Sequence, residues 1–464
     1  MHRTRAIGQD MTTGSVPKKL ISFAVPFMLA NALQMLFGIV NMIVVGQHAG
    51  PGGLSAVAIG NQLMMIFMSL AMGFSMGGQI YIAQLVGARD RGKINNVIGT
   101  LFTLVIIIAL LMSVLVVSTA RPLLILMNTP PEAMYGAVQF LSVNGFGLIF
   151  LFGYNMISAV MRGLGDAKRP FIFIAIASVL NVILVNIFVG LMQMGPMGAA
   201  MSMVISQALS FVIAIIYLYI KREAFGFDFK PKSFIIDKEI AKMLCRLGIP
   251  ISIQNMAVMF SMAVVSRFIN AFGVAASAAY GAGQSIGQFP NVLMMGLNFA
   301  NSAMVGQNMG AGKRERAQRS VHITVLFGVT TFAIFSLIVG FFPHQMFNLF
   351  TTDPDVHELV PMIVMTMFIS FPGHALMPGF LSFINGIGNT RLTMIFGIFD
   401  GVVLRIGLSF FFGIVLDMGL LGFFLGFYLA VYGMVIPCMV YYFSGVWKKR
   451  KMLVEVPAEQ AGSE

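Results

Sequence analysis

Charged side chains are scarce in this sequence. Aspartate, glutamate, lysine and arginine make up 10% of its 464 residues, whereas 58% of the residues are hydrophobic. Because a soluble domain carries about 25% charged residues, this composition excludes an ordinary soluble protein and predicts a surface that faces lipid. Only two cysteines occur, Cys245 and Cys438, so we expect no structural disulfide.

The sequence also lacks the motifs of common catalytic centres. It has no Cys/His cluster with metal-ligand spacing, no nucleophile elbow and no complete phosphate-binding loop. The stretch 309–313 ends in Gly-Lys but lacks the second half of such a loop, and it is typical of a helix end followed by a turn. We therefore expect no enzyme, no cofactor and no metal site. We expect the energy for any transport to come from a gradient of H+ or Na+.

The apolar runs predict an all-α polytopic membrane protein. Twelve segments reach the length of about 20 residues that a membrane span requires, and the first of them lacks a signal-peptide cleavage pattern. The alternation typical of a membrane β-barrel is missing from the sequence, and a bare backbone in lipid must be helical. The predicted spans are 20–46, 54–84, 94–118, 134–161, 171–193, 196–220, 244–271, 277–307, 321–342, 358–384, 392–415 and 419–445.

The basic residues predict the orientation of these spans. We number each connection by the span that it follows. Of 29 lysines and arginines, 26 lie in the termini or in the even-numbered connections, whereas the odd-numbered connections contain Arg121 alone. This bias places both termini in the cytosol of a multi-pass protein of the cell membrane. Because orientation accounts for the net charge of +12, we expect lipid as a partner and no nucleic acid.

The two halves of the sequence repeat each other. The polar stretch Arg162–Pro170 contains two glycines between two apolar runs, and Asn385–Arg391 repeats this pattern 223 positions later. Pro26 in the first span similarly has its counterpart in Pro250. A period of about half the chain indicates two copies of one bundle.

This duplication predicts five regions. We expect a cytosolic N-terminus (1–19), an N-lobe of six helices (20–220), a cytosolic linker (221–243), a C-lobe of six helices (244–445) and a cytosolic tail (446–464). The linker is the one long polar connection, and a regulatory role for it is the alternative to a plain connection. We expect the tail beyond Lys451 to be disordered because it is polar.

The order and spacing of several short stretches resemble the multidrug and toxic compound extrusion (MATE) family, in its prokaryotic DinF/MepA-like branch. The resemblance extends from Thr13 to Tyr442. It is carried by Pro26 with Asn41–Gly46, Leu54–Ala58, Gln84–Ala88, Met127–Pro130, the 162–170 stretch, Asn181–Leu184, Gly198–Ala200, Gly248–Pro250 and Gly306–Gly312. The resemblance implies twelve helices in two pseudo-symmetric six-helix bundles around a central cavity. It also implies an exporter driven by an inward gradient of H+ or Na+.

The chain departs from the family at positions that often carry coupling residues. Where many relatives have an aspartate in the first span, this chain has Asn41, and where they have one in the fifth span, it has Val185. A frequent threonine of the sixth span corresponds to Met203. Because an amide cannot release a proton, we look for the coupling residues in the second half.

Three ionisable residues inside C-lobe spans are the candidates for ion coupling. Asp400 is the one acidic residue well inside a span, and Arg405 follows it by five positions on the same helix. A charge in a bilayer costs at least about 2.5–3.5 kcal/mol, so the pair is either a buried ion pair that fixes the eleventh span or a site that responds to a proton or cation. His374 is either a hydrogen-bonded packing residue or a proton relay.

Uncharged polar residues on helical faces are the candidates for substrate binding. Each amide has a simpler role as an alternative, since amides also hold helices together. The candidates are Gln34, Asn41, Asn181, Gln207, Gln254, Asn255, Gln284, Gln288 and Asn291. The last three follow i, i+4, i+7 spacing on the eighth span. The 38 methionines and 43 phenylalanines are typical of a pliable apolar pocket, although most are expected to face lipid or pack helices.

These observations lead to three hypotheses about function. The first is a secondary active antiporter that exports amphipathic or cationic organic compounds in exchange for H+ or Na+ by alternating access, working as a monomer. The second is a flippase for a lipid-linked or anionic substrate, which a cavity lined by several arginines would favour. The third is a membrane receptor or scaffold without transport, which binds ligand without ion-dependent flux.

Overall fold

The computed structural model describes residues 8–450 and 452–454, apart from the side chain of Arg91. Regular structure in this part of the chain is helical throughout. The first seven residues of the expected N-terminus lie outside the described residues, as do residue 451 and residues 455–464 of the expected tail.

Twelve long helices follow one another along the described chain, and each predicted span falls on one of them. They are α1 (Val16–His48), α2 (Gly50–Gly87), α3 (Arg91–Leu126), α4 (Pro131–Gly163), α5 (Lys168–Leu191), α6 (Gly195–Ile220), α7 (Lys238–Asn270), α8 (Val274–Gly310), α9 (Arg314–Phe341), α10 (Pro354–Gly386), α11 (Thr390–Val415) and α12 (Gly419–Phe443). Two short helices, Arg222–Phe225 and Pro343–Asn348, and two 3₁₀ turns, Pro231–Phe234 and Val446–Lys449, complete the described elements.

Eleven of the helices in the described chain are both long and apolar enough to cross a membrane. Helix α8 is 37 residues long but falls short in apolarity, because amide side chains such as Gln284, Gln288 and Asn291 interrupt its apolar residues. The helical architecture expected from the hydropathy pattern is confirmed.

Prolines mark where several helices begin. Pro51, Pro131, Pro196 and Pro354 each stand in the first turn of a helix, where the missing N–H of proline would have had no helical partner. At α10 the Asp353 carboxylate additionally accepts a hydrogen bond from the Asp355 amide, which caps the helix.

Helices α5 and α11 contain π-helical turns. In α5 the π-turn covers Asn186–Leu191, and in α11 two π-turns cover Phe399–Ile406 and Phe411–Val415. A π-turn connects residue i with residue i+5, and such turns are frequent at functional sites. These two helices hold the same place in the two halves of the sequence.

The described chain divides into two compact units. Unit 1 contains residues 8–10 and 25–249, and unit 2 contains residues 11–24 and those from 250 onwards. Within unit 1, α4 packs against α2, α3 and α6; within unit 2, α10 packs against α8, α9 and α12. Each helix of this set in unit 2 comes six helices later in the chain than its counterpart in unit 1.

The close contacts inside each unit repeat at the spacing found in the sequence. A Cβ at Gly163 would lie 3.0 Å from the Gln79 carbonyl oxygen, and a Cβ at Gly386 would lie 2.9 Å from the Ser302 carbonyl oxygen. Gly386 and Ser302 each lie 223 positions after their counterparts, Gly163 and Gln79. The glycines that follow, Gly165 and Gly388, have φ angles of 90° and 76°, which glycine adopts at little steric cost.

The connection after α6 is docked on α3 of unit 1. A Cβ at Gly99 would collide with the Ser233 carbonyl oxygen, Asn95 donates to the Ser233 hydroxyl at 3.1 Å, and Thr103 donates to the Phe234 carbonyl at 2.7 Å. Hydrogen bonds from the Ser233 hydroxyl and then the Lys230 amide lower the pKa of the Asp228 carboxyl. The linker therefore has a defined structure over these residues.

Two helical glycines of unit 2 test how much its packing depends on close contact. A Cβ at Gly328 in α9 would collide with the Ala375 carbonyl of α10, whereas a Cβ at Gly281 in α8 would meet no atom within 4 Å. We expect Gly328→Ala to destabilise the protein by about 1–3 kcal/mol through overpacking. We expect the same change at Gly281 to be neutral or stabilising by up to about 1 kcal/mol through helix propensity. Thermal midpoints of the purified variants in detergent measure both, and a Gly328→Ala midpoint at or above that of Gly281→Ala would contradict the packing described.

Candidate functional site

Asp400 and Arg405 form a buried ion pair in unit 2. Their exposed fractions are 3% and 8%, and Arg405 Nη2 donates to both Asp400 carboxylate oxygens at 3.3 Å. On an α-helix, side chains three or four positions apart are neighbours. Here the π-turn Phe399–Ile406 brings positions i and i+5 into line. The structure thus joins two of the three predicted coupling residues and supplies a geometric reason that the sequence did not reveal.

Aromatic side chains surround this ion pair. The Cζ atom of Arg405 lies 4.9 Å from the ring centroid of Phe427, and the Phe427 ring meets Tyr280 edge-to-face at 5.5 Å. Tyr280 is itself 7% exposed. A cation over an aromatic face gains most where water is excluded. Sequence reasoning missed Tyr280 and Phe427, because no spacing rule connects α8, α11 and α12.

His374, the third predicted coupling residue, has its ring 6.0 Å from that of Phe332. Its side chain in α10 is partly buried, and its Nδ1 contacts the Ser370 carbonyl oxygen at 3.0 Å. Because a carbonyl oxygen only accepts, this hydrogen bond assigns the ring proton to Nδ1. The Nε2 atom is then the nitrogen able to take up a proton.

The corresponding part of unit 1 contains an uncharged network. Asn41 in α1 donates to Asn181 Oδ1 in α5 at 2.8 Å, and Asn181 Nδ2 lies 3.5 Å from the Ser202 hydroxyl of α6. Asn41 and Asn181 are 9% and 7% exposed. Val185 is fully buried in an apolar cluster against which Met203 packs. Two predicted substrate residues therefore hydrogen-bond to each other, in a network that cannot exchange protons at ordinary pH.

The other predicted substrate residues are spread over both units. In unit 1, Gln34 is exposed and Gln207 is partly buried. In unit 2, Gln254 is 6% exposed, and its Nε2 atom contacts the sulfur of Met434 at 3.8 Å. Among the remaining candidates in unit 2, Asn255 and Gln284 are partly buried, whereas Gln288 and Asn291 are exposed. Exposure thus increases along the predicted stripe of α8 from Gln284 to Asn291.

Unit 1 contains a buried arginine, Arg162, whose burial the sequence analysis did not predict. Arg162, assigned from the sequence to a polar connection, lies in the last turn of α4 and is 5% exposed. Its Nε donates to Gln79 Oε1 at 2.7 Å, and its Cζ lies 5.0 Å from the Phe27 ring centroid. In the sequence, this burial was indicated only by the adjacent Gly163, which allows α4 to approach α2 closely.

An apolar groove runs along α1 in unit 1. Its volume is about 630 Å³, and its lining includes Met35, Gly38, Met42 and Gly46. The groove is widely open along one side and is a surface groove, not an enclosed pocket. Two predicted substrate residues, Gln34 and Asn41, directly precede the lining residues Met35 and Met42 in the sequence.

No group of three or more His, Cys, Asp or Glu side chains is placed to hold a metal ion within the described residues. Two histidines, His344 and His357, do contact each other through their Nδ1 atoms at 3.0 Å. The polar groups described above therefore offer a carboxylate, a guanidinium, an imidazole and amides for binding.

Comparison with known proteins identifies the family. The MatE family model matches the chain twice, over residues 26–187 and 250–411. The probable multidrug resistance protein YoeA of Bacillus subtilis is 25% identical over 455 residues, which cover 96% of this chain and 97% of that protein. The probable multidrug resistance protein NorM of Thermotoga maritima is 27% identical over 470 residues, covering 96% of each chain.

Solved structures share the fold. An outward-facing multidrug resistance MATE family transporter of the MOP superfamily aligns with a TM-score of 0.89 and 22% identity, over 97% of this chain and all of that one. Two matches to one family model, whose starts and ends are each 224 positions apart, confirm the internal duplication. The chain is therefore a multi-pass membrane protein that belongs to the MatE family of multidrug and toxic compound extrusion transporters, and it is not an enzyme.

Proposed function

We propose that this protein is a secondary active exporter of amphipathic, cationic organic compounds that uses proton entry as its energy source. The observation that carries the proposal is the buried Asp400–Arg405 pair in a π-turn of unit 2. The names of the related multidrug resistance proteins support the substrate class.

The proton is favoured over Na+ by the partner that Asp400 already has. Both carboxylate oxygens face the guanidinium of Arg405, so a metal cation at Asp400 would stand beside another positive charge. Protonation instead neutralises Asp400 and releases Arg405, and it requires no additional oxygen ligands. A change of partner of this kind can shift a conformational equilibrium, because a ligand favours the state that binds it better.

The uncharged residues of unit 1 have a different role in this proposal. The groove that contains Met35 and Met42 accepts the apolar body of a substrate, because methionine adapts to varied shapes. The amides of Asn41 and Asn181 hold α1 and α5 together beside it.

Export in this proposal occurs by alternating access of a monomer with both termini in the cytosol. The repeated helices act as an N-lobe and a C-lobe connected through the linker 221–243. Duplicated transporters work in this way by moving one repeat against the other. The two alternative functions, a flippase and a receptor without transport, would be indicated by other results of the following experiments.

Asp400→Asn tests the coupling residue. Because asparagine cannot be protonated in this range, we expect proton-driven export of ethidium from proteoliposomes to fall by at least about tenfold, equivalent to 1.4 kcal/mol. Asp417→Asn is the matched control, since Asp417 is an exposed residue two positions after the end of the same helix. Export should follow an imposed pH gradient and not a sodium gradient.

Three results would count against this assignment. Undiminished export by Asp400→Asn would remove Asp400 from the mechanism, and export driven by sodium alone would reject the proton. Flux that persists after both gradients are collapsed would reject coupled transport altogether.

His374→Gln tests a proton relay. Glutamine can form hydrogen bonds as histidine does but cannot take up a proton, so we expect proton-driven export to fall in the variant and its pH dependence to differ from that of the wild type. His48→Gln is the control, because His48 makes the same contact with the carbonyl oxygen four positions earlier, at 3.0 Å. Identical pH profiles for His374→Gln and the wild type would leave His374 with a packing role only.

A further inference from the structure

The side chain of Arg405 occupies a place that suits cations in general. Its Nη2 contacts both carboxylate oxygens of Asp400, and its Cζ lies 4.9 Å from the centroid of the Phe427 ring. A carboxylate and an aromatic face are the groups that attract an organic cation most strongly. The guanidinium is therefore bound as a ligand would be, although it is covalently attached to α11.

Arg405 is held loosely for a buried cation. Both of its contacts with Asp400 are 3.3 Å long and come from one nitrogen, whereas charge-assisted hydrogen bonds are typically about 2.7–2.9 Å. Its Nε atom is buried and has no hydrogen-bond partner among the described residues. Because such an unpaired N–H is unfavourable, a competing cation that contacts Asp400 more closely can displace the guanidinium.

The surface of α8 offers an approach to this place. Asn291 and Gln288 are exposed and Gln284 is partly buried, with an Nε2 atom that lacks a partner among the described residues. One turn further, Tyr280 is 7% exposed and packs edge-to-face on Phe427. This polar stripe connects the exposed face of the helix with the aromatic wall of the ion pair.

The groups that face the pair are suited to a single positive charge. Tyr280 from α8 and Tyr428 from α12 both pack edge-to-face on the Phe427 ring, with ring centroids 5.5 and 5.2 Å away. Neither tyrosine adds a negative charge when neutral. Asp400 can therefore balance one monovalent cation.

We propose that Asp400 and Phe427 form the binding site for the cationic group of the exported compounds, and that Arg405 is its tethered occupant. Arg405 leaves when an organic cation takes its place or when a proton neutralises Asp400. The inference rests on the proposed export function and identifies the residues of this chain that bind the charge of the substrate. Because one carboxylate accepts one of these partners at a time, substrate and proton exclude each other, as exchange requires.

Equilibrium binding to Arg405→Gln tests this site. The probes are tetraphenylphosphonium and tetraphenylborate, which share size and shape but have opposite charge. We expect Arg405→Gln to bind tetraphenylphosphonium about tenfold more tightly than the wild type, because the variant frees both the carboxylate and the aromatic face. Tetraphenylborate affinity should be unchanged, and the gain should disappear in Asp400→Asn/Arg405→Gln and shrink in Phe427→Leu/Arg405→Gln.

Two further variants control for charge and folding. Arg267→Gln removes the same charge from an exposed position at the end of α7, and its affinity for tetraphenylphosphonium should equal that of the wild type. Arg405→Lys retains a charge for Asp400 and so protects folding, and it should show a smaller gain than Arg405→Gln.

The proposal is overturned if neither Arg405→Gln nor Arg405→Lys binds the cation more tightly, or if Arg267→Gln shows the same gain. Loss of tetraphenylborate binding in Arg405→Gln would assign Arg405 to anions and overturn it as well. These measurements use detergent-solubilised protein without any gradient. A failure of ion coupling in proteoliposomes therefore stays distinguishable from a failure of this binding site.

Discussion

Two opposite charges buried inside one membrane-spanning helix must form an ion pair, and the backbone of α11 in unit 2 is adapted to this requirement. Each charge alone would cost at least about 2.5–3.5 kcal/mol in the bilayer, and removing one member of a buried pair leaves the other uncompensated. Asp400 and Arg405 meet because the backbone of α11 widens into a π-turn. The contact is long, and Phe427 stabilises the guanidinium from its face. The proposed exchange of partners depends on this long contact.

The duplicated framework carries different chemistry in its two copies. The glycine contacts at 163 and 386 repeat almost unchanged, since they depend only on how closely two helices can approach. Polar side chains are free to differ within that framework. Arg162 hydrogen-bonds to Gln79 in unit 1, whereas the equivalent positions in unit 2 are Asn385 and Ser302. Conversely, unit 1 has the neutral Asn41–Asn181 contact, and unit 2 has the ion pair. The two copies therefore share their close backbone contacts and differ in the polar side chains that they carry.

The sequence predicted the fold well because the bilayer imposes strong, local rules. Length, hydropathy and the positions of lysine and arginine suffice to place twelve helices, including α8 with its amides. The site was less accessible. Asp400 and Arg405 were identified as unusual, but their alignment depends on a π-turn that no spacing rule reveals. Tyr280 and Phe427 became relevant only through tertiary packing. Arg162 was read as a connection residue because a helix end and a loop look alike in sequence.

The central claim is that the carboxyl group of Asp400 changes partner when a substrate binds. Infrared difference spectroscopy on purified protein, recorded upon addition of an organic cation, observes carboxyl groups directly. The account predicts a change in a carboxyl or carboxylate band in the wild type that is missing from Asp400→Asn. Difference spectra that are identical for the two proteins would contradict it.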